Sequence, residues 1–188
     1  MTRIIAGEHG GRRLATPTGD RTRPTSDRVR EALFGALTAR GELTDLAVLD
    51  LYAGSGAIGL EAVSRGAGVA LLIESHPATA RVIKRNIATL RVEDRAEVKA
   101  ASLPQALNRP APRRFDVVYI DPPYDLPQRD LTEVLAALTT GDWLAEDADV
   151  IVERSSRSDE PDWPDGLATV RSRRYGESTL WYGRALWT

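Results

Sequence analysis

Beyond residue 46 the chain repeats one pattern: a short apolar run, a turn, then a longer segment whose apolar positions recur at helical spacing. Ala47–Leu51, Val69–Glu74, Phe115–Ile120 and Ala148–Glu153 are the apolar runs and read as buried strands. Glu97–Ala101 carries a weaker version of the same signal and reads as a further strand after Val69–Glu74. The segment A-I-G-L-E-A-V-S-R-G ending at Gly66, the segment Ala78–Leu90 and the segment Leu131–Leu138 read as helices between them. Strands alternating with helices predict an α/β domain with a parallel sheet and helices on both faces. Ala168–Tyr175 and Ser178–Leu186 flank a Gly176-Glu177 turn and add antiparallel strands at one edge.

The first 46 residues stand outside this alternation. Thr2–Ala6 and Arg12–Thr16 are short strand-like pieces around E-H-G-G, which reads as a hairpin turn. Pro17 to Pro24 is a polar connector. Ser26 is a candidate N-cap, Asp27 suits the positive end of the helix that follows, and Val29, Leu33 and Leu37 form its apolar stripe. The expected organisation is a small hairpin extension over 1–24 and one domain over 25–188.

A chain of 188 residues has room for one domain with a proper core. No apolar stretch approaches the roughly 18–20 residues that cross a membrane, and the N-terminus lacks a signal-peptide core, so a cytoplasmic protein is expected. With no cysteine and only His9 and His76, thiolate chemistry is excluded and no metal site is expected. The net charge of −2 is unevenly spread: residues 1–30 hold seven arginines against Glu8, Asp20 and Asp27, a balance of +4. Either a local anionic partner or a solubilising N-terminus accounts for that equally well.

The loop V-L-D-L-Y-A-G-S-G-A-I-G, residues 48–59, places Gly54, Gly56 and Gly59 at the end of the first strand of the alternation. Such glycines let the backbone turn tightly and approach a ligand. Glu74, ending the next strand, is placed to accept hydrogen bonds from ribose hydroxyls. A plain strand-to-helix turn and a dinucleotide loop share this pattern. Asp50 separates them, because a carboxylate there suits a cationic amine and repels a pyrophosphate. D-L-Y-A-G-S-G resembles the D-x-[FY]-x-G-[ST]-G signature of S-adenosylmethionine-dependent methyltransferases. The resemblance implies that Asp50 lies near the cofactor's methionine end and that Glu74 grips the ribose. The full cofactor-binding set expected is Asp50, Tyr52, Gly54, Gly56, Glu74, Ser75, Ser102 and Leu103. Around Ser102 the stretch A-A-S-L offers no Asp or Asn for an adenine amino group, a departure from many methyltransferases.

I-D-P-P-Y-D at 120–125 ends the Phe115–Ile120 strand on Asp121, Pro122, Pro123 and Tyr124. A rigid strand-to-loop corner is the plain reading. An acceptor site is the chemical one. An exocyclic amine on a base is a poor nucleophile. Asp121 and the Pro122 carbonyl can each accept one of its hydrogens and aim its lone pair, and Tyr124 can stack on the base. The motif resembles the [DNS]-P-P-[YF] of amino-methyltransferases acting on N6 of adenine, N4 of cytosine or N2 of guanine.

R-I-I-A-G-E-H-G-G-R-R-L at 3–14 and T-R-P-T-S-D-R-V-R-E-A-L-F at 22–34, with the two loops above, V-E at 152–153 and Y-G at 175–176, resemble the bacterial small-subunit rRNA guanine-N2 methyltransferases of the RsmD type. The resemblance covers nearly the whole chain. It implies a Rossmann-like class I methyltransferase fold: a mostly parallel seven-stranded sheet with helices on both faces, an antiparallel C-terminal edge hairpin and a small N-terminal β-hairpin. It implies S-adenosylmethionine as cofactor and 16S rRNA, within the small ribosomal subunit or its assembly intermediate, as partner. A monomer is expected, and Arg3, Arg12, Arg13, Arg21 and Arg23 are the expected RNA contacts. A DNA adenine-N6 methyltransferase shares both loops, and a non-catalytic RNA-binding module is the third reading. Trp143, Trp163, Trp181 and Trp187 read as core-edge anchors rather than base-stacking platforms. Arg171, Arg173 and Arg174 read equally as a solvated face and as phosphate contacts.

Overall fold

The computed structural model describes residues 2–17 and 26–186. Two compact units divide it, residues 1–101 and 102–188. The strands from residue 47 onward form a seven-stranded, mostly parallel sheet, and two short strands near the N-terminus form a separate two-stranded one.

In the first unit, β1 (Thr2–Arg3) and β2 (Arg13–Leu14) are only two residues long each. The expected strands Thr2–Ala6 and Arg12–Thr16 stop short because the amides of Ile5 and Ala6 turn to a side chain, the carboxylate of Glu61, instead of a partner strand. Helix α1 (Asp27–Thr38) begins where Ser26 accepts a hydrogen bond from the Val29 amide, and Val29, Leu33 and Leu37 are buried. β3 (Ala47–Leu51) is buried along its whole length. It pairs in parallel with β4 (Val69–Glu74), which pairs in parallel with β5 (Ala96–Ala100). Helices α2 (Ala57–Ser64) and α3 (Pro77–Leu90) follow β3 and β4. α3 opens on Pro77, where a missing amide costs nothing, and closes on Arg91 in the left-handed region.

In the second unit, β6 (Phe115–Ile120) pairs in parallel with β7 (Leu144–Ser155), with helix α4 (Gln128–Thr140) between them in sequence. β7 starts four residues before the predicted Ala148. Trp143 explains the difference: its ring stacks on Phe115 at 5.9 Å, its indole donates to the Leu107 carbonyl, and its own carbonyl accepts from the Phe115 amide. β9 (Ser178–Ala185) lies antiparallel between β7 and β8 (Leu167–Tyr175), the closing hairpin expected from the pattern. Among the described residues no helix is long and apolar enough to cross a membrane.

Candidate active site

The end of β3 delivers Asp50 into the interior, 2% exposed, where it accepts a hydrogen bond from the Gly59 amide at 2.9 Å. Gly59 lies in the first turn of α2, so the carboxyl caps one of the orphan donors of that helix. Burial nevertheless pushes the Asp50 carboxyl up to about 8, the Gly59 amide pulling it down and the charge of Glu74 pushing it further up. The loop then takes a strained course. Tyr52, Gly54 and Gly56 all adopt positive φ, and for a residue as bulky as Tyr52, at φ 59°, this is costly. Gly56 is required twice over: its φ is +78°, and a Cβ would sit 3.0–3.1 Å from the side chains of Leu72 and Ile83.

Glu74, half-buried at the end of β4, folds its carboxylate over the loop. One oxygen accepts from the Gly54 amide at 3.0 Å and the other from the His76 amide at 2.9 Å. Each oxygen keeps a further lone pair for a hydroxyl donor. Ser75 is exposed beside it. His76 stands at the N-cap position of α3 without a side-chain capping bond, and its Nδ1 meets the Thr79 hydroxyl, which fits a helix-start residue.

One residue of this loop system escaped sequence reading. Asn86, buried on α3, accepts from the Ala15 amide at 2.8 Å and donates to the carbonyls of Ala15 and Ser55. It thereby joins the N-terminal segment to the glycine loop. The only hint in the sequence was an amide on an otherwise apolar helix face, three residues after Ile83 and one before Ile87.

In the second unit β6 is buried to Ile120, then the surface opens abruptly. Asp121 is half-buried, Pro122 buried, and Pro123 and Tyr124 exposed, Tyr124 at 55%. The loop is held from behind. The Leu126 amide donates to the Pro123 carbonyl, and buried Arg154 of β7 donates to the Leu126 carbonyl at 3.0 Å. Tyr119 donates to Glu153 beneath it. Glu153 belonged to the resemblance; Arg154 gave no signal, because an arginine following a strand reads as surface. Ser102 is exposed and Leu103 half-buried at the start of this unit.

Of the arginines expected to meet RNA, Arg3 is exposed and paired with Asp27 at 3.4 Å, and Arg12 and Arg13 are exposed. Arg21 and Arg23, like Trp187, lie outside the described residues. Trp143 is a core residue, and Trp163 covers Gly183 and donates to Glu160.

The family model described as "Conserved hypothetical protein 95" matches residues 2–184. The chain is 35% identical to "Ribosomal RNA small subunit methyltransferase D" of Escherichia coli, over 93% of this chain and 85% of the relative. It is 36% identical to the protein of the same name from Haemophilus influenzae, over 80% of this chain and 77% of the relative. Among solved structures, yhhF of Escherichia coli superposes with a TM-score of 0.86 at 33% identity, covering 97% of each chain.

Proposed function

The chain belongs to the Conserved hypothetical protein 95 family, the RsmD type, and on that premise we propose that it methylates the exocyclic N2 amine of a guanine in 16S rRNA, with S-adenosylmethionine as donor. In this reading it works in the cytoplasm on the small ribosomal subunit or its assembly intermediate. The observation that carries it is Tyr124, 55% exposed on the loop that follows the buried end of β6, three residues after Asp121. A large aromatic ring left in water at the mouth of a proline-fixed turn is a platform for a base.

The first unit fits the donor on three points. Gly54 leaves open space over the loop, where a Cβ would meet only the Tyr52 carbonyl oxygen at 4.0 Å, Glu74 presents carboxylate oxygens beside the loop, and Asp50 holds a buried carboxyl that a cationic amine would ionise. S-adenosylmethionine supplies a methyl group already activated on a sulfonium. The protein therefore has to align the acceptor rather than provide strong acid–base catalysis. Asp121 and the Pro122 carbonyl accept the two amine hydrogens and direct the nitrogen lone pair. The proline rings fix the carbonyl direction and remove competing amide donors. Arg154, through Leu126, keeps the loop from swinging away. Once the nitrogen is methylated, its surplus proton leaves to Asp121 or to water.

Labelled S-adenosylmethionine offered with intact small subunits, free 16S rRNA and naked DNA tests this reading. Label is expected in the rRNA of one or both ribosomal substrates and, after digestion to nucleosides, in N2-methylguanosine. Label entering DNA alone, or appearing on adenine, refutes it.

A further inference from the structure

Strand β8 is the outer strand of the closing hairpin, and it is exposed along nearly its whole length. It carries Arg171, Arg173 and Arg174, all exposed: Arg171 and Arg173 stand on one face of the strand and Arg174 on the other, where its Nε donates to the Gly176 carbonyl at 3.2 Å, and none of the three pairs with a carboxylate among the described residues. Elsewhere the chain neutralises many of its arginines: Arg3, Arg30, Arg65, Arg95, Arg114, Arg129 and Arg184 all have acidic partners. Residues 167–186 hold four arginines against the single acid Glu177, in a chain of net charge −2.

The register of the second unit gives this strand a position. Ile120 of β6 pairs with Val152, Val152 with Trp181, and Trp181 with Ser172 of β8. One step further on, Glu153, Leu180 and Arg173 form the next row, level with Asp121. β8 runs in the same direction as β6, because both β7 and β8 lie antiparallel to β9 and β6 is parallel to β7. The arginines thus flank the row that ends in the acceptor loop. Three strand spacings of roughly 4.8 Å separate them from it, about 14 Å in all. That is on the order of four nucleotide steps of a helical strand at roughly 3.4 Å each. Arg171 is also pre-set: its guanidinium lies 4.7 Å over the Tyr182 ring, a stacking that leaves its in-plane N–H fork for an anion.

We propose that β8 is a phosphate-binding edge on which Arg171, Arg173 and Arg174 hold the RNA backbone a few nucleotides from the base presented to Tyr124. This rests on the rRNA-methylating reading above and adds a contact surface to it. The competing physical role for these arginines is to guard an open sheet edge against pairing with another chain.

The test compares wild type with the triple variant Arg171→Gln/Arg173→Gln/Arg174→Gln and with the corresponding triple lysine variant. Small subunits serve as substrate at several salt concentrations. For the glutamine variant, KM for small subunits is expected to rise tenfold or more with kcat within about twofold. Its S-adenosylmethionine affinity and melting temperature should stay near wild type. The log–log salt slope of subunit binding should flatten by roughly two units, at about 0.7–0.9 per lost phosphate contact. The lysine variant should keep most of the slope. An unchanged KM and slope overturn the proposal, as does a weaker affinity with an unchanged slope, which would mean a contact other than phosphate. Self-association of the glutamine variant with normal subunit binding assigns the arginines to edge protection and also overturns it. Should the triple variant fail to fold, Arg173→Gln alone must still lower the slope by close to one unit, or the proposal fails. Wild type that neither binds nor methylates RNA refutes the substrate reading itself, whereas normal methylation by both wild type and glutamine variant refutes only the role of β8.

Discussion

Asp50 is a carboxyl group under opposed influences: the first turn of α2 favours its charge, and burial beside Glu74 opposes it, with burial dominant. Because its folded pKa is raised from 3.8 to about 8, the folded chain holds one more proton than the unfolded chain between those values. Stability therefore falls as pH rises through that window, and Asp50→Asn should remove the corresponding slope in thermal denaturation. A bound cationic amine reverses the balance. S-Adenosylmethionine binding below pH 8 should release a proton, so affinity should climb with pH and level off near 8. Calorimetry in buffers of different ionisation enthalpy reads that proton directly, and a pH-independent affinity with no proton release would detach Asp50 from the amine. Asp121 is predicted to act on the other substrate. Asp121→Ala should lower turnover on the order of 10²-fold, about 3 kcal/mol of transition-state stabilisation, with cofactor affinity within a few-fold of wild type. A parallel loss of cofactor affinity in titration would move Asp121 to the donor site.

At the scale of elements, the N-terminal hairpin is fastened to α2 more firmly than its two-residue strands imply. Glu61 accepts from the amides of Ile5 and Ala6, Ser64 bonds to Ala6 and His9, and a Cβ on Gly7 would stand 1.9 Å from the Ser64 carbonyl oxygen. Glu61 also faces Arg30 at 3.7 Å and Arg65 at 2.7 Å, and the Glu61 and Arg30 side chains are fully buried. Glu61→Gln leaves the Arg30 charge short of a counter-ion inside the protein. It should cost about 3 kcal/mol, or roughly 6–12 °C of melting temperature. A change within a degree or two would mean that Asp27, 2.6 Å from Arg30, suffices alone. These attachments show why some elements were legible from sequence and others were not. β3, β4 and β6 announce themselves because a strand buried on both faces reads as a near-continuous apolar run, which in β3 only Asp50 interrupts. Ser26 and Val29–Leu37 declare α1 through a cap and a stripe. The glycine loop and D-P-P-Y stand out because unusual backbone courses demand particular residues. Asn86, Glu61 and Arg154 stayed hidden, because a polar residue that satisfies backbone groups far along the chain leaves no local pattern.

For the molecule as a whole, charge is concentrated rather than abundant. Residues 1–30 hold +4 and residues 167–186 hold +3, so with a net charge of −2 the remainder stands at −9. An acidic body repels nucleic acid at long range, and only a polyanion shaped to reach the basic segments while avoiding the rest gains from binding. Affinity should therefore depend strongly on RNA fold. On the rRNA-methylating reading, a flexible homopolymer such as poly(U) satisfies a few phosphate contacts at one segment while its remaining charge meets the acidic surface. Its dissociation constant at physiological salt should sit at the weak end of non-specific binding, about 10⁻⁴ M. Small subunits present rigid, separated phosphate rows and should bind at least a hundredfold more tightly, with a steeper salt dependence. Filter binding of both RNAs across a salt series measures the two slopes together. Poly(U) affinity within tenfold of that for small subunits, at equal slopes, would mean that the basic segments act as an undirected cationic coat, and recognition would then have to reside wholly in the acceptor loop around Tyr124.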